Sequence, residues 1–203
     1  MAPLKLFGQN SVIKEFIEMH PAERRFAYRY PKSALEAYRI SVLAQNKTDE
    51  LKSGKQLDGD DNGGQLDAFR HAYWMALLTI SLGEKKARKL GIAHEKSNYE
   101  DYERLKLEEG TIPDFKASFM DLKNNEEGIR LGLQNPQTDK DSLVFIVIDE
   151  IKKGRLWKLK KDTSGNYYDY FNQLIPKEKW HGQWMNQKCL VPSDYVFYAN
   201  FQQ

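Results

Sequence analysis

A single cysteine, Cys189, in 203 residues removes two classes of scaffold: no intramolecular disulfide framework can form, and no zinc cluster can be built from thiolates. An excess of charge of one sign is also missing. Lys and Arg total 31 against 29 Asp and Glu, a formal balance of +2, so no global field attracts a polyanion and nucleic acid is not an expected partner. No apolar run approaches the ~18 residues of a membrane span, so no transmembrane segment is expected. The first eight residues lack the basic and apolar regions of a signal peptide. Export of a chain already relieved of its signal stays open.

What the sequence has is enough for a core. Hydrophobic residues make up 40% and aromatic residues 12%, too many for intrinsic disorder. A chain of this length folds most naturally as one domain, burying roughly 70% of its unfolded surface. Apolar residues recur at helical spacing over residues 10–20, 32–51, 65–81, 84–98 and 115–134. On the second of these the stripe reads Leu35, Tyr38 and Val42, with Ile40 and Leu43 beside it. On the last it reads Phe115, Phe119 and Leu122. Residues 142–151 have strand propensity in Val144 to Ile148, but Asp139, Asp141 and Gly154 look like helix caps and favour a helix. Residues 156–170, centred on Ser164-Gly165-Asn166, read as a hairpin. The expectation is a mainly α, multi-helix domain over residues 1–154, followed by a small C-terminal β-hairpin and aromatic tail over residues 155–203 packed on it.

Only four histidines occur, and two, His71 and His94, fall in the strongest helices. Asp67 and His71 are four apart, so they project from one face a turn apart, within reach of one metal ion or one substrate atom. That stripe also faces the interior, where an unpaired charge is costly. Candidate partners stand on two other helices: His94 and Glu95 on one, Asp121 and Asn125 on the other. An oxygen and nitrogen set of this kind suits zinc, manganese or iron. The metal assignment takes Asp67, His71, His94 and Asp121 as ligands, Glu95 as base, and Arg70 or Asn125 as the holder of an anionic or carbonyl oxygen. Without metal, His71 oriented by Asp67 or Asp121 is a general base. A third reading makes the same groups a structural polar network, with Asp67 and Arg70 as an intrahelical pair.

Two further features compete for attention. Asp58-Gly59-Asp60-Asp61-Asn62-Gly63 matches the first half of a calcium loop, although Phe69 stands where its last acid should be. The alternative is a turn in which Asn62 caps the following helix. The basic run from Lys152 to Lys161, containing Trp157, could meet an anionic lipid or envelope surface.

The motifs NGGQLDAFRHAYW (from Asn62 to Trp74), Ala93-His94-Glu95 and MDLKNNEEG (from Met120 to Gly128) resemble an uncharacterised bacterial domain family over residues 26–154. Lys123 stands where members of that family often carry His. The resemblance implies exported or toxin-like proteins, hence possible export or delivery, and no set activity. The order His71, His94-Glu95, Asp121 is also similar to the ligand order of HD-type metallophosphohydrolases, with Glu95 in place of their Asp. The functional expectation is a hydrolase, with or without a metal, acting on an ester or phosphoester bond of a small-molecule, lipid or envelope substrate. Its rivals are a non-catalytic exported interaction or toxin-delivery module with a structural polar core, and a lipid- or envelope-binding protein.

Overall fold

The computed structural model describes residues 20–104 and 112–197. Six helices lie among them: α1 (Pro21–Arg29), α2 (Pro31–Lys52), α3 (Gln65–Leu82), α4 (Glu84–Glu103), α5 (Phe115–Gln134) and α6 (Lys140–Lys152). They are joined by a two-stranded antiparallel sheet of β1 (Trp157–Leu159) and β2 (Leu190–Pro192). The protein is mainly α with a small β element, as the periodicity indicates. The helix expected over residues 10–20 lies outside the described residues.

Helix ends follow local chemistry. Pro21 and Pro31 open α1 and α2 at the first turn, where a missing N–H is harmless. Asp114 caps α5 by accepting from Lys116 N (2.8 Å) and Ala117 N (3.0 Å). Asp139 caps α6 through Asp141 N and Ser142 N, both at 3.0 Å. These caps outweigh the strand propensity of the following run, whose Leu143, Val144, Val147, Ile148 and Ile151 are buried at helical spacing. Gly83, at φ 81°, closes α3 and turns the chain into α4.

Helix α3 is the centre. It packs against α2, α4, α5, α6 and β1. One side joins Phe69, Tyr73 and Ala76 to the α6 residues Leu143, Val147 and Ile151, and another joins Met75 and Leu78 to Phe26, Ile40, Leu90 and Ile129. Its contact with α5 is the most extensive between elements. A Cβ on Gly128 would lie 2.4 Å from the Ala72 carbonyl oxygen, and one on Gly132 would lie 2.7 Å from that of Ala76. The paired positions rise together, 72 with 128 and 76 with 132, so the two helices run in the same direction.

The structure corrects several details. On α2 the inward residues are Ser33, Ala37, Ile40, Ala44 and Thr48, while Leu35 and Val42 are exposed. On α5 the aromatic stripe also faces outward: Phe115 and Phe119 stack on each other at 37% and 41% exposure. The face turned inward carries Ser118, Asp121, Asn124, Asn125 and Gly128. Helix α4 runs five residues past the expected Asn98. The strand partner of β1 is β2, 31 residues beyond its end, because Leu190 is the Cα partner of Leu159. The turn at Ser164-Gly165-Asn166 does form, with Asp162 accepting from Ser164 N and Asn166 N, and is closed by a Lys161–Tyr167 bridge.

The tail is tied into the helical body. Lys188 donates to Asp114 at 2.6 Å beneath the Tyr167 and Trp180 rings, so one carboxylate both caps α5 and neutralises a buried ammonium. Burial lowers the Lys188 pKa, and the attraction of Asp114 works against that shift. Asn124 receives the Trp157 amide (2.9 Å) and donates to its carbonyl (3.0 Å), pinning β1 on α5.

The α3–α5 crossing sets a stability test. Gly128→Ala gains about 1 kcal/mol of helix propensity but drives a methyl into the Ala72 backbone, and overpacking of this kind typically costs ~1–3 kcal/mol or more. Chemical denaturation should show a net loss for Gly128→Ala and almost none for Gly91→Ala, whose Cβ would meet only the mobile end of Met75 at 3.2 Å and the Asn125 amide at 3.4 Å. Equal stability of the two variants would contradict the close crossing.

Candidate metal centre and adjoining cavity

The parallel register of α3 and α5 sets Asp67 and His71 against Asp121 and Asn125. Asp67, His71 and Asp121 are all buried and each offers one ligand atom, all within 4.8 Å of one another; this is a group that could hold a metal ion. His71 Nε2 lies 3.5 Å from Asp67 Oδ1 and 3.4 Å from Asp121 Oδ1. Around a tetrahedral ion with ~2.0–2.1 Å bonds, neighbouring donors stand about 3.3 Å apart, so the spacing fits.

The surrounding groups set the orientation. His71 Nδ1 lies 3.3 Å from Asn125 Oδ1, an acceptor, which assigns the proton to Nδ1 and leaves the Nε2 lone pair facing the two carboxylates. Two acids and a lone pair in one place call for a positive charge. The Arg70 guanidinium answers it, with Nη2 2.7 Å from Asp67 Oδ1 and 3.4 Å from His71 Nε2. Asp67 Oδ2 accepts from Gly63 N at 2.6 Å. Gly63 sits at φ 85°, and any Cβ there would lie 2.7 Å from Leu159 Cδ1. Its carbonyl accepts from Leu159 N at 2.8 Å, so β1 holds the loop that holds Asp67.

Burial dominates the proton affinities. It pushes the Asp67 carboxyl above its ordinary value, with Arg70 and the Gly63 amide pulling the other way. It also holds the His71 imidazole well below 6.5, helped by the charges of Arg70 and His94 and opposed by Asn125. His71 is therefore a neutral, ligand-competent imidazole at neutral pH.

His94 stands beside this group and is not among its three members. Its ring is 6.3 Å from that of His71, and its Nδ1 is 3.1 Å from Glu23 Oε1. Burial raises the Glu23 carboxyl, but the hydrogen bond and charge of His94, with His20, carry it below its ordinary value. Glu95 is buried one turn after Gly91 on the same face of α4 and accepts from Asn98 Nδ2 at 3.1 Å. Asn125 Nδ2 is buried with no acceptor among the described residues.

The loop from Asp58 to Asn62, read as half of a calcium loop or as a turn, engages protein partners. Asp58 turns to the start of α3, accepting from Gln65 N at 2.9 and 3.0 Å, and so takes the capping role expected of Asn62. Asp60 pairs with Lys161 and Asp61 with Lys52. The three acids serve separate partners. The end of the basic run is turned inward: Lys160 is 5% exposed and donates to the Asp169 carbonyl, while Lys161 donates to the Asn62 carbonyl. Lys152, Lys153 and Arg155 of the same run stay exposed, with Lys153 beside Asp149 and Arg155 beside Glu150.

A cavity of about 360 Å³ adjoins the centre. His71, Arg70, His94 and Glu23 form its polar end. Its walls come from α1, α2 and α4 with Trp74 of α3, and include Phe26, Ala37, Ala44 and Leu90. Sequence reasoning missed this cavity and the part played by Glu23. The available signal was the spacing of Ala34, Ala37, Ser41 and Ala44, small residues on one α2 face that leave space in front of α3.

Residues 24–155, well over half of the chain, match a family described as Domain of unknown function (DUF6973). The chain belongs to this family. No curated protein and no solved structure gives a match. The DUF6973 match contains every member of the Asp67–His71–Asp121 group, Arg70, Asn125 and the cavity-lining residues from Phe26 to His94, while Glu23 lies just before it.

The buried imidazole makes a signed prediction for metal-free protein. Between its depressed folded value and 6.5, the unfolded chain carries a proton that the folded one refuses, so this contribution is full above 6.5 and lost as pH falls. Asp67 has the opposite sign: its raised value keeps a proton on the folded chain above 3.8, and its contribution is lost as pH rises through that value. Comparing wild type with His71→Gln isolates the first slope. Denaturation at a series of pH values should show wild type losing stability relative to the variant below about pH 6.5, by at most ~1.4 kcal/mol per unit. Parallel curves would contradict a buried neutral His71.

Proposed function

We propose that the protein is a metal-dependent hydrolase cleaving an ester or phosphoester bond, with Asp67, His71 and Asp121 as metal ligands. The observation that carries the reading is the convergence of two carboxylates on a His71 lone pair whose tautomer Asn125 sets, at the end of a cavity. Zinc, manganese or iron suits this set. A bound ion of this kind polarises a carbonyl or phosphoryl oxygen and acidifies water.

The chain's own residues supply the rest. For an ester, water attacks the carbonyl carbon and Glu95 takes its proton as a new C–O bond forms. Arg70 and the Asn125 amide N–H₂ face the oxygen on which charge develops. The bond to the alcohol oxygen then breaks, and Glu95 returns the proton to that oxygen. The products are one acid and one alcohol. His94, held by Glu23, stands beside His71 at the polar end of the cavity.

Elemental analysis together with turnover of a panel of p-nitrophenyl esters and bis-p-nitrophenyl phosphate tests the reading. Wild type should take up one equivalent of zinc or manganese and lose turnover on chelation. Asp121→Asn and His71→Ala should lose both metal and turnover while remaining folded. Asn125→Ala should weaken metal affinity by about 10–100-fold. Glu95→Gln should keep the metal and lose ~10²–10⁴-fold in kcat. A metal-free protein that unfolds when His71 or Asp121 is replaced would instead support a non-catalytic module whose polar core is neutralised by Arg70.

A further inference from the structure

The cavity has a chemical character of its own. Apart from its polar end and the Tyr38, Ser41 and Gln45 side of α2, its walls are hydrocarbon: Phe26, Ala27, Ala37, Ala44 and Leu90 are buried core residues that also line it. Its volume, about 360 Å³, lies in the range of small-molecule sites, ~300–1,000 Å³. The space exists because α2 presents alanines and Ser41 where larger side chains would close it, and exposed Gln45 stands at the rim. Such a space favours a ligand that is itself hydrocarbon over most of its length.

The polar end narrows the choice of head group. Arg70 pairs with Asp67 and Glu23 with His94, so positive and negative charge are both present and largely matched. In the ion-free protein an anionic head group finds both of these cations already beside an acid, and a cationic one finds both of these acids already beside a cation. Trp74 lines the same cavity, and its Nε1, a donor only, is buried with no acceptor among the described residues. An uncharged oxygen acceptor, as in an ester carbonyl, satisfies that donor without adding a buried charge.

We infer that the cavity is an acyl-chain site: the protein takes a neutral ester of a medium-length fatty acid, with the hydrocarbon chain between α1, α2 and α4 and the carbonyl towards Trp74, Arg70 and His71. This rests on the hydrolase reading for its place in a reaction, but chain binding is measurable without turnover.

Calorimetric titration with a series of alkyl methyl ketones tests it, because a ketone offers the carbonyl and the chain but has no bond for a hydrolase to cleave. Affinity should rise about fourfold with each added methylene until the cavity is filled, and then level off. Ala37→Phe should move that plateau to shorter chains. Ala34→Leu, at a half-buried position better able to accept the added volume, should do the same if Ala37→Phe fails to fold. Trp74→Phe should weaken every ketone about tenfold and leave the dependence on length unchanged. Absent binding, affinity independent of length, or a plateau unmoved by the folded cavity variant would each overturn the acyl-chain site. Length-dependent ketone binding without turnover of any ester would keep this site and remove the hydrolase. Turnover of acetate esters with no length dependence would keep the hydrolase and remove this site.

Discussion

The approach of α3 to α5 at Gly128 and Gly132 is the constraint on which the rest depends. With no Cβ between the axes, the α5 backbone meets the Ala72 and Ala76 carbonyls directly. A parallel contact this close fixes register to within one helical step, and it brings Asp121 and Asn125 level with Asp67 and His71. Burying two acids and an imidazole there is unfavourable unless each is partnered. Asp67 has Gly63 N and Arg70, His71 has Asn125 with Arg70 close to its Nε2, and Asp121 Oδ1 stands 3.4 Å from that same nitrogen. The packing of small residues and the polar chemistry are consequences of one interface.

The C-terminal segment takes part in the same arrangement. Leu159 bonds the Gly63 carbonyl, Asn124 clamps Trp157, and Lys188 reaches the acid that caps α5. Each tie lands next to a residue that shapes the centre: Gly63 beside the Asp67 loop, Asn124 beside Asn125, and Asp114 at the start of the helix that carries Asp121. A segment expected to cover the helical body therefore braces the walls of its polar centre. That also explains why Lys160, Lys161 and Lys188 point inward.

Helical spacing made the mainly α class, the central helix and the Asp67, His71 and Asp121 positions legible, because i, i+4 geometry is local. The orientation of the amphipathic helices was less so. On α5 the polar stripe is buried and Phe115 and Phe119 are outside, the reverse of simple hydrophobic patterning, since Asn125 meets His71 of α3 and Asn124 clamps Trp157 of β1. His94 shares a helix face with Gly91, but its partner is Glu23, on a helix whose position depends on tertiary packing. The cavity was hidden for a related reason: alanines on α2 read as filler, and only the distance between helices shows that they leave space. The β1–β2 pairing joins segments 31 residues apart, beyond the reach of turn signals.

The central claim is that Asp67, His71 and Asp121 form a cation site made by the α3–α5 register. Anomalous diffraction from crystals grown with manganese or zinc tests it most directly. The account predicts one peak about 2.0–2.2 Å from Asp67, Asp121 and His71 Nε2, with the Arg70 guanidinium moved off Asp67 Oδ1. No peak at that position, with Arg70 still bound to Asp67 at full metal concentration, would contradict it.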